Sequence, residues 1–264
     1  MTVAEAALLF GAAVVGGGLN AVAGGGGFLA ILPPLIAARV PPLSANAMIA
    51  VALWPGLLTS VAAARPRPRL PRHRHVGWLL LLTVTGAVAG ASLLLRTPPT
   101  VFLHLVPFLL LASTLLFAGS GHLLARHRVD DHLPETTHLA PAPTAGGLLS
   151  QLLIGVYGGY FGANLGLVLL AALGLAGMHN RYALNLLRTQ LVLGNGAAAA
   201  AVFAASGLLL WPQTLVLLAG TVAGGWAGSR HGHRLDGVRL HAAVVAAGLV
   251  VSGYLFVIVY LLPA

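Results

Sequence analysis

The stretch "FGANLGLVLLAALGL", residues 161–175, is apolar enough to lie inside a membrane, yet it opens with polar and flexible residues. Asn164 stands in its first turn, and Gly162, Gly166 and Gly174 interrupt it. Glycine permits backbone conformations that other residues disfavour, and the start of a helix leaves backbone N–H groups without partners. The stretch therefore predicts a short helix that begins at a break in the chain.

The composition of the whole chain predicts a membrane protein. Of its 264 residues, 58% are hydrophobic and 7% are charged, and the mean hydropathy is +0.92. Five acidic residues cannot cover the surface of a soluble core of this size. A membrane-spanning helix needs about 20 apolar residues, and apolar runs of this length recur along the chain. Alternation of apolar and polar residues with period two is absent, which excludes the strands of a membrane barrel. We expect an all-α, polytopic transmembrane bundle in the bacterial inner membrane.

The hydrophobic pattern predicts about ten helical segments, of which the second and seventh are short. They lie near 3–23, 26–38, 44–64, 76–95, 101–125, 146–162, 165–178, 182–205, 213–229 and 239–262. The first is expected to be a retained span, because Glu5 stands where a signal peptide has basic residues. Proline, threonine and charges mark one long hydrophilic connection as a linker. The predicted organisation is a first repeat at 1–125, a cytoplasmic linker at 126–146 and a second repeat at 147–264.

The two halves of the chain resemble each other. "AGGGGFLAILPPL" (23–35) aligns with "GANLGLVLLAALG" (162–174). Separations of 139 or 138 residues match several landmarks in the same order: Gly27 to Gly166, Asn46 to Asn185, and Gly86, Gly90 and Arg96 to Gly224, Gly228 and Arg234. Chance coincidence between two glycine-rich membrane stretches is the alternative, but the conserved order of landmarks favours a duplication.

The arginines predict the topology. The loop "RPRPRLPRHRH" (65–75) carries five of them, so the positive-inside rule places it in the cytoplasm. Its repeat equivalent, 206–212, is uncharged and falls on the opposite side, which makes the two repeats inverted. Counting spans places Arg39, Arg96 and both termini outside. Because the arginines lie in short loops and not on one basic face, the net charge of +9 does not indicate a nucleic-acid partner.

Several motifs resemble the TauE/SafE family of sulfite and organosulfonate exporters over nearly the whole chain. They are "AGGGGFL" with the following "PP", "ANA" with "VALWPG", "YGGYFGA" with "AALGL", "NG" at 195–196, "GLLLWP" at 207–212 and "AGGWAGSR" at 223–230. The resemblance implies an exporter of small anions such as sulfite or sulfoacetate, working by alternating access with the anion bound between the repeats. The chain departs from the family at "ANAMI" (45–49), at Asn164, where relatives commonly carry Gly, and at Asn185, where they often carry Lys.

Broken helices at matching places in two repeats are the best sequence indication of a transporter's binding site. The N-terminus of each short helix would direct N–H groups and the positive end of the helix dipole at an anion. The predicted substrate-binding residues are Asn20, Gly24, Gly25, Gly26, Gly27, Asn46, Gly162, Asn164, Gly166, Asn185, Arg188 and Asn195. Close helix packing is the alternative role for glycine, and we favour it for Gly86, Gly90, Gly224 and Gly228.

Arg188 is the one formal cation within a predicted span near the breaks. Asn185, Arg188 and Asn195 share one face of the eighth segment, because they are three and seven residues apart. Their side chains, with that of Asn164, are expected to donate hydrogen bonds to the anion. The alternative is that Arg188 lies near the membrane surface and extends its side chain to water.

Other functions are weighed against transport. An intramembrane serine protease is a remote alternative, because "AGSGH" (118–122) lacks the first glycine of the Gly-x-Ser-Gly form, and His122 adjoins the motif instead of lying on a later helix. The chain has no cysteine, and the "HRH" and "HGH" motifs lie in solvated loops without an acidic or cysteine partner, so no metal site is expected. No cofactor or enzymatic activity is expected either. An anion channel and a small-carboxylate permease stay open as alternatives. The coupling ion and a homodimer are also left open.

The predicted topology can be checked with a reporter fused after Ala264. We expect alkaline phosphatase at this position to be active, because that enzyme folds only outside the cytoplasm, and a fluorescent protein that requires the cytoplasm to be dark. A bright cytoplasmic fusion would show that the count of spans is wrong.

Overall fold

The computed structural model describes residues 1–63, 74–126, 144–178, 181–232 and 237–261, and within these ranges every regular element is helical. The helices are α1 Val3–Ala23, α2 Gly27–Ala37, α3 Pro42–Ala63, α4 Arg74–Arg96, α5 Pro99–Arg126, α6 Ala145–Tyr160, α7 Leu165–Leu175, α8 Arg181–Ala204, α9 Trp211–His231 and α10 Gly237–Phe256, the last continuing as the π-helical turn Val257–Leu261. The predicted all-α class is confirmed. Most of the predicted linker, most of the basic loop and Arg234 lie outside the described residues.

Six helices in the described ranges are long and apolar enough to cross a membrane. They contain the segments Val3–Val22, Pro42–Ala62, Val76–Arg96, Pro99–Gly119, Ala183–Ala204 and His241–Leu261. By contrast, α2 and α7 have 11 residues each. At a rise of 1.5 Å per residue, 11 residues extend only about half of a hydrocarbon core of roughly 30 Å. The prediction of a polytopic helical bundle in which the second and seventh helices are short is confirmed.

The helices of the two halves interleave in one bundle. α1 packs most extensively against α9, and α4 against α6; α3 also packs on α9, and α4 on α8. If each of the first five helices is exchanged with the one five places later, α1–α9 becomes α6–α4 and α3–α9 becomes α8–α4. The pairing pattern is therefore consistent with a duplication, and the inverted orientation of the two repeats stays a prediction.

At the centre of the bundle, the repeat-equivalent helices α3 and α8 contact each other directly. The indole Nε1 of Trp54 donates a hydrogen bond of 3.0 Å to the carbonyl oxygen of Leu193, and these two residues are 139 positions apart. Contact between equivalent residues is expected where two related halves meet. α3 and α8 are thus the central pair, and the breaks beside α2 and α7 lie next to them.

Glycines bring the helix pairs of the periphery into backbone contact. A Cβ atom placed on Gly90 of α4 would collide with the carbonyl oxygen of Val156 on α6. On the other pair, a Cβ atom on Gly224 of α9 would collide with the carbonyl oxygen of Val14 on α1. Close backbone approach replaces the hydrophobic effect as a source of helix association in lipid. The packing role predicted for these glycines and for Gly86 and Gly228 is confirmed.

Gly90→Ala tests this packing. The added methyl group would meet backbone rather than a flexible side chain, so we expect a loss of about 1–3 kcal/mol of stability from overpacking. Gly253→Ala is the matched control, because no atom lies within 4 Å of the position of its added Cβ. The melting temperature in detergent should fall for the first variant and be unchanged or slightly higher for the second; equal melting temperatures would contradict the packing role.

Candidate functional site

Two breaks in the helices face each other inside the bundle. In the first, Gly24 (φ 68°) ends α1 and Gly26 (φ 83°) precedes α2. In the second, Gly162 (φ 70°) and Asn164 (φ 56°) lie between α6 and α7. Each pair adopts the left-handed backbone conformation that lets the chain stop one helix and start another, within three residues in the first break and four in the second. The breaks thus have the same design in both halves.

The structure corrects the alignment of the two breaks by one residue. The left-handed residues of one break lie 138 positions from those of the other, and so do the first and last residues of α2 and α7. Gly27 therefore corresponds to Leu165, and the predicted match of Gly27 to Gly166 is wrong. The match failed because it relied on glycine identity, whereas Asn164 adopts the left-handed conformation that Gly26 adopts in the first break. Asn is one of the few residues besides Gly that tolerate this conformation.

The side chain of Asn164 fastens the two breaks together. Its Oδ1 accepts a hydrogen bond of 2.8 Å from the backbone N–H of Gly26, and its Nδ2 donates one of 3.1 Å to the carbonyl oxygen of Ser113 on α5. The residue is 6% exposed, so water does not compete for these groups. We predicted a donor to the ligand at this position, whereas the structure shows the amide engaged with the protein.

The breaks also approach each other closely through their backbones. A Cβ atom on Gly166 would lie 2.9 Å from the carbonyl oxygen of Gly24, and one on Gly25 would lie 2.5 Å from Oδ1 of Asn164. Neither position has room for a side chain. The N-terminus of α7 is consequently held directly beside the end of α1.

Arg188 extends from α8 onto this junction. A Cβ atom on Gly24 would lie 2.7 Å from its Nη1 and 3.2 Å from its Nη2, and one on Gly166 would lie 3.8 Å from Nη1. The side chain is half-buried and faces a cavity. The guanidinium group makes no hydrogen bond or ion pair with the residues that the structure describes. The guanidinium group therefore lies at the junction of the two breaks.

The cavity has a volume of about 110 Å³ and lies between the two breaks, α3 and α8. A single water needs roughly 10–15 Å³ by the same measure, so the cavity is large enough for a small solute. Nine of the twelve predicted site residues line it: Asn20, Gly24, Gly26, Gly27, Gly162, Asn164, Gly166, Arg188 and Asn195.

Three predicted residues do not line this cavity. Gly25 is buried beside the side chain of Asn164. Asn46 donates a hydrogen bond of 3.1 Å from Nδ2 to the carbonyl oxygen of Tyr160 and lines a different cavity. Asn185 is exposed near the start of α8, although its neighbours Leu184 and Leu186 are buried. The predicted polar face of α8 therefore reaches the cavity from Arg188 onward.

Asn195 lines the cavity but is also committed to the scaffold. It is 1% exposed, and its Nδ2 donates a hydrogen bond of 3.0 Å to the carbonyl oxygen of Gly155 on α6. Gly158 provides the space for its amide, since a Cβ atom there would lie 2.6 Å from Oδ1. Asn195 thus anchors α8 to α6 and presents its remaining polar surface to the cavity.

The two central helices give the cavity unlike walls. α8 contributes Arg188, Thr189, Val192, Asn195, Gly196 and Ala199, whereas α3 contributes Ile49, Ala50, Leu53, Trp54 and Leu57. The sequence analysis did not identify Thr189 or the apolar residues of α3. The repeat spacing of 139 residues could have identified the wall formed by α3, because it matches Ile49 to Arg188 and Leu53 to Val192. One wall therefore carries a cation, and the equivalent wall is apolar.

In the described part of the chain, no group of three or more His, Asp or Glu side chains is close enough together to hold a metal ion. The candidate site is accordingly defined by one guanidinium group, backbone N–H groups at two helix starts and neutral amides. This set of donors favours an anionic ligand.

Comparisons with known proteins show that the chain is similar to membrane transporters. The family model described as "Sulfite exporter TauE/SafE" matches residues 9–255. A probable membrane transporter protein, ORF9, of Sinorhizobium sp. is 32% identical over 238 residues, which cover 85% of this chain and 82% of the relative. A probable membrane transporter protein of Haemophilus influenzae is 28% identical over 225 residues, covering 85% and 84%. No solved structure matches the chain significantly.

Asn164→Gly isolates the contribution of the bridge between the breaks. Glycine keeps the left-handed conformation but leaves the N–H of Gly26 and the carbonyl oxygen of Ser113 without these partners, which should cost about 1–3 kcal/mol. Asn164→Ala should cost roughly 1–2 kcal/mol more, because alanine is strained in that conformation. Thermal unfolding in detergent measures both variants. If Asn164→Gly melts at the wild-type temperature, the bridge does not stabilise the fold.

Proposed function

The chain belongs to the sulfite exporter TauE/SafE family, and we propose that it exports a small anion, a sulfite or an organosulfonate, which binds at the two breaks. Its relatives and its six membrane-spanning helices in the described ranges make it a multi-pass membrane transporter. A bacterial inner membrane is consistent with helical spans of this kind. The identity of the anion and the direction of transport are the proposal.

The position of Arg188 is the observation that carries the proposal. An isolated charge in a low-dielectric interior is unfavourable unless a counter-charge or hydrogen bonds compensate it. None of the described residues is such a partner for its guanidinium group, which faces the cavity against Gly24. A bound anion would supply the missing charge. The planar fork of N–H donors in arginine suits two oxygens of a sulfonate, sulfite or carboxylate group.

Backbone donors at the breaks would complete the binding site. The first N–H groups of a helix have no partner within that helix, and in α2 these include those of Gly27 and Phe28, which follow the break. Gly166 is the second residue of α7 and lies against Gly24. Two helix starts beside one cavity also direct the positive ends of two dipoles at it. Together with Arg188, they favour an anion over a neutral or cationic solute.

The apolar wall supports a substrate with an organic part. Ile49, Leu53 and Trp54 line the cavity from α3, and the indole is held in place by its hydrogen bond to Leu193. A methylene or larger group on the anion would pack here, while the charged group contacts the opposite wall. Organosulfonates have this arrangement, and small carboxylates share it.

The membrane potential could drive export without a proton relay. The residues that line the cavity include no carboxylate. Moving one negative charge outward across an inside-negative potential of 100 mV releases about 2.3 kcal/mol, which supports roughly a 50-fold gradient. Efflux from loaded vesicles should fall when an ionophore collapses the potential. Unchanged efflux would show that another ion is coupled to transport.

A binding screen of the purified protein identifies the substrate class. We expect sulfite, sulfoacetate or another sulfonate to bind more tightly than a carboxylate of the same length. Acetate and succinate are the matched comparisons for the small-carboxylate alternative. Preferential binding of carboxylates would favour that alternative, and binding of only neutral or cationic solutes would overturn the proposal.

Arg188→Gln tests the role of the cation directly. Loss of a charge-assisted hydrogen bond, which is worth about 1.5–3 kcal/mol, should weaken binding of the best anion roughly 10- to 150-fold. Arg188→Lys should restore part of this loss, because an ammonium group keeps the charge but not the second parallel hydrogen bond. Isothermal titration measures the affinities.

Arg96→Gln is the matched control, because Arg96 is exposed at the end of α4. This variant should bind the anion with wild-type affinity. Thermal unfolding identifies any variant that is misfolded. Wild-type affinity in a stable Arg188→Gln protein would place the binding site elsewhere.

A further inference from the structure

A second cavity lies next to the first and has a similar volume, about 120 Å³. Its lining comes from α2, α3, α5, the end of α10 and the residue that follows α6, and it is apolar except for Asn46. It therefore differs from the candidate anion site in chemistry and not in size. Arg188 and the other residues of α8 do not line it.

Two phenylalanine residues, Phe28 and Phe161, line both cavities. Their ring centroids are 4.8 Å apart with an interplanar angle of 52°, and the residues are 5% and 2% exposed. Each belongs to a break: Phe161 directly precedes Gly162, and Phe28 is the second residue of α2. The contact between the two rings is consequently the boundary between the cavities.

We propose that the Phe28–Phe161 pair is the barrier that closes the anion site on one side, and that the second cavity is the route from the site to that face of the membrane. The role of the route rests on the proposed function, because it is the transported anion that would pass. The barrier concerns only access to the anion cavity, so it can be tested without a substrate.

The second cavity leads to helix ends at the surface of the protein. Leu103 and Ile258 line it and are more than a third exposed; they lie near the start of α5 and the end of α10. Val40, in the connection between α2 and α3, also lines it. By the predicted topology these three ends lie outside, so the barrier would separate the anion site from the exterior.

Asn46 is the one polar residue in the described lining of this cavity. Its Nδ2 is bonded to Tyr160, and its Oδ1 is buried without a hydrogen-bond partner among the described residues. An unsatisfied buried acceptor is destabilising. A rearrangement that opens the route would expose this oxygen to water and remove that cost.

The barrier exists on one side only. At the separation of 138 residues that relates the two breaks, Phe28 corresponds to Gly166 and Phe161 to Ala23. The related pair of positions therefore carries no aromatic ring. A contact between two rings is weak beyond the area that it buries, so a barrier of this kind can open by motion of side chains at the breaks.

Thiol labelling in oriented vesicles tests the barrier. The chain has no cysteine, so Leu57→Cys reports on the anion cavity alone and Leu103→Cys on the second cavity alone. A membrane-impermeant maleimide should label Leu103→Cys from one face only. From that same face, Leu57→Cys should be labelled slowly. Replacement of both Phe28 and Phe161 by Ala should make this labelling at least about tenfold faster, a factor that corresponds to the loss of about 1.4 kcal/mol from the barrier.

Phe102→Ala is the matched control, because Phe102 is a buried phenylalanine that lines only the second cavity. It should leave the labelling of Leu57→Cys unchanged, while the melting temperature reports whether each variant is folded. Fast labelling of Leu57→Cys from the Leu103 face with both rings present would overturn the barrier, and so would unchanged labelling in the folded double variant. If the protein bound no anion but the labelling gave the expected results, the proposed function would be contradicted and the barrier would not be.

Discussion

The hydrogen bond from the N–H of Gly26 to Oδ1 of Asn164 is the interaction on which the arrangement of the centre depends. Backbone groups inside a membrane have no bulk water to bond, so a helix can break there only where the protein supplies partners. Asn164 meets this requirement for both halves at once. It starts α7 in a left-handed conformation and uses its side chain for the first break and for α5.

Close packing of glycine-rich helices brings the two breaks together. α1 lies against α9 and α4 against α6 with backbone atoms in contact. Since each of these pairs contains one helix from each half, neither half can bury its polar breaks without the other. The interleaved packing therefore explains why both breaks, and Arg188 with them, surround one cavity.

A nearly symmetric backbone carries asymmetric side chains, and this difference would give the protein its direction. α2 and α7 have the same length and the same register. At equivalent positions, however, Arg188 corresponds to Ile49 and Phe28 to Gly166. One central helix thus provides a cation and the other an apolar wall, and two aromatic rings are in contact at only one of the two related pairs of positions. A symmetric pair of repeats would bind an anion equally from both sides.

The sequence by itself determined the fold class, the approximate positions of the ten helices, the two breaks and the polar and glycine residues that line the cavity at the breaks and on α8. These properties follow from local rules of hydrophobic length, glycine conformation and repeat spacing, which need no knowledge of contacts. Only the tertiary structure decided the register of the breaks, the role of Asn164 and the direction of Arg188. Each of these depends on which partner a side chain meets across the bundle: Asn164 bonds to residues 138 and 51 positions away. No local pattern specifies such a partner.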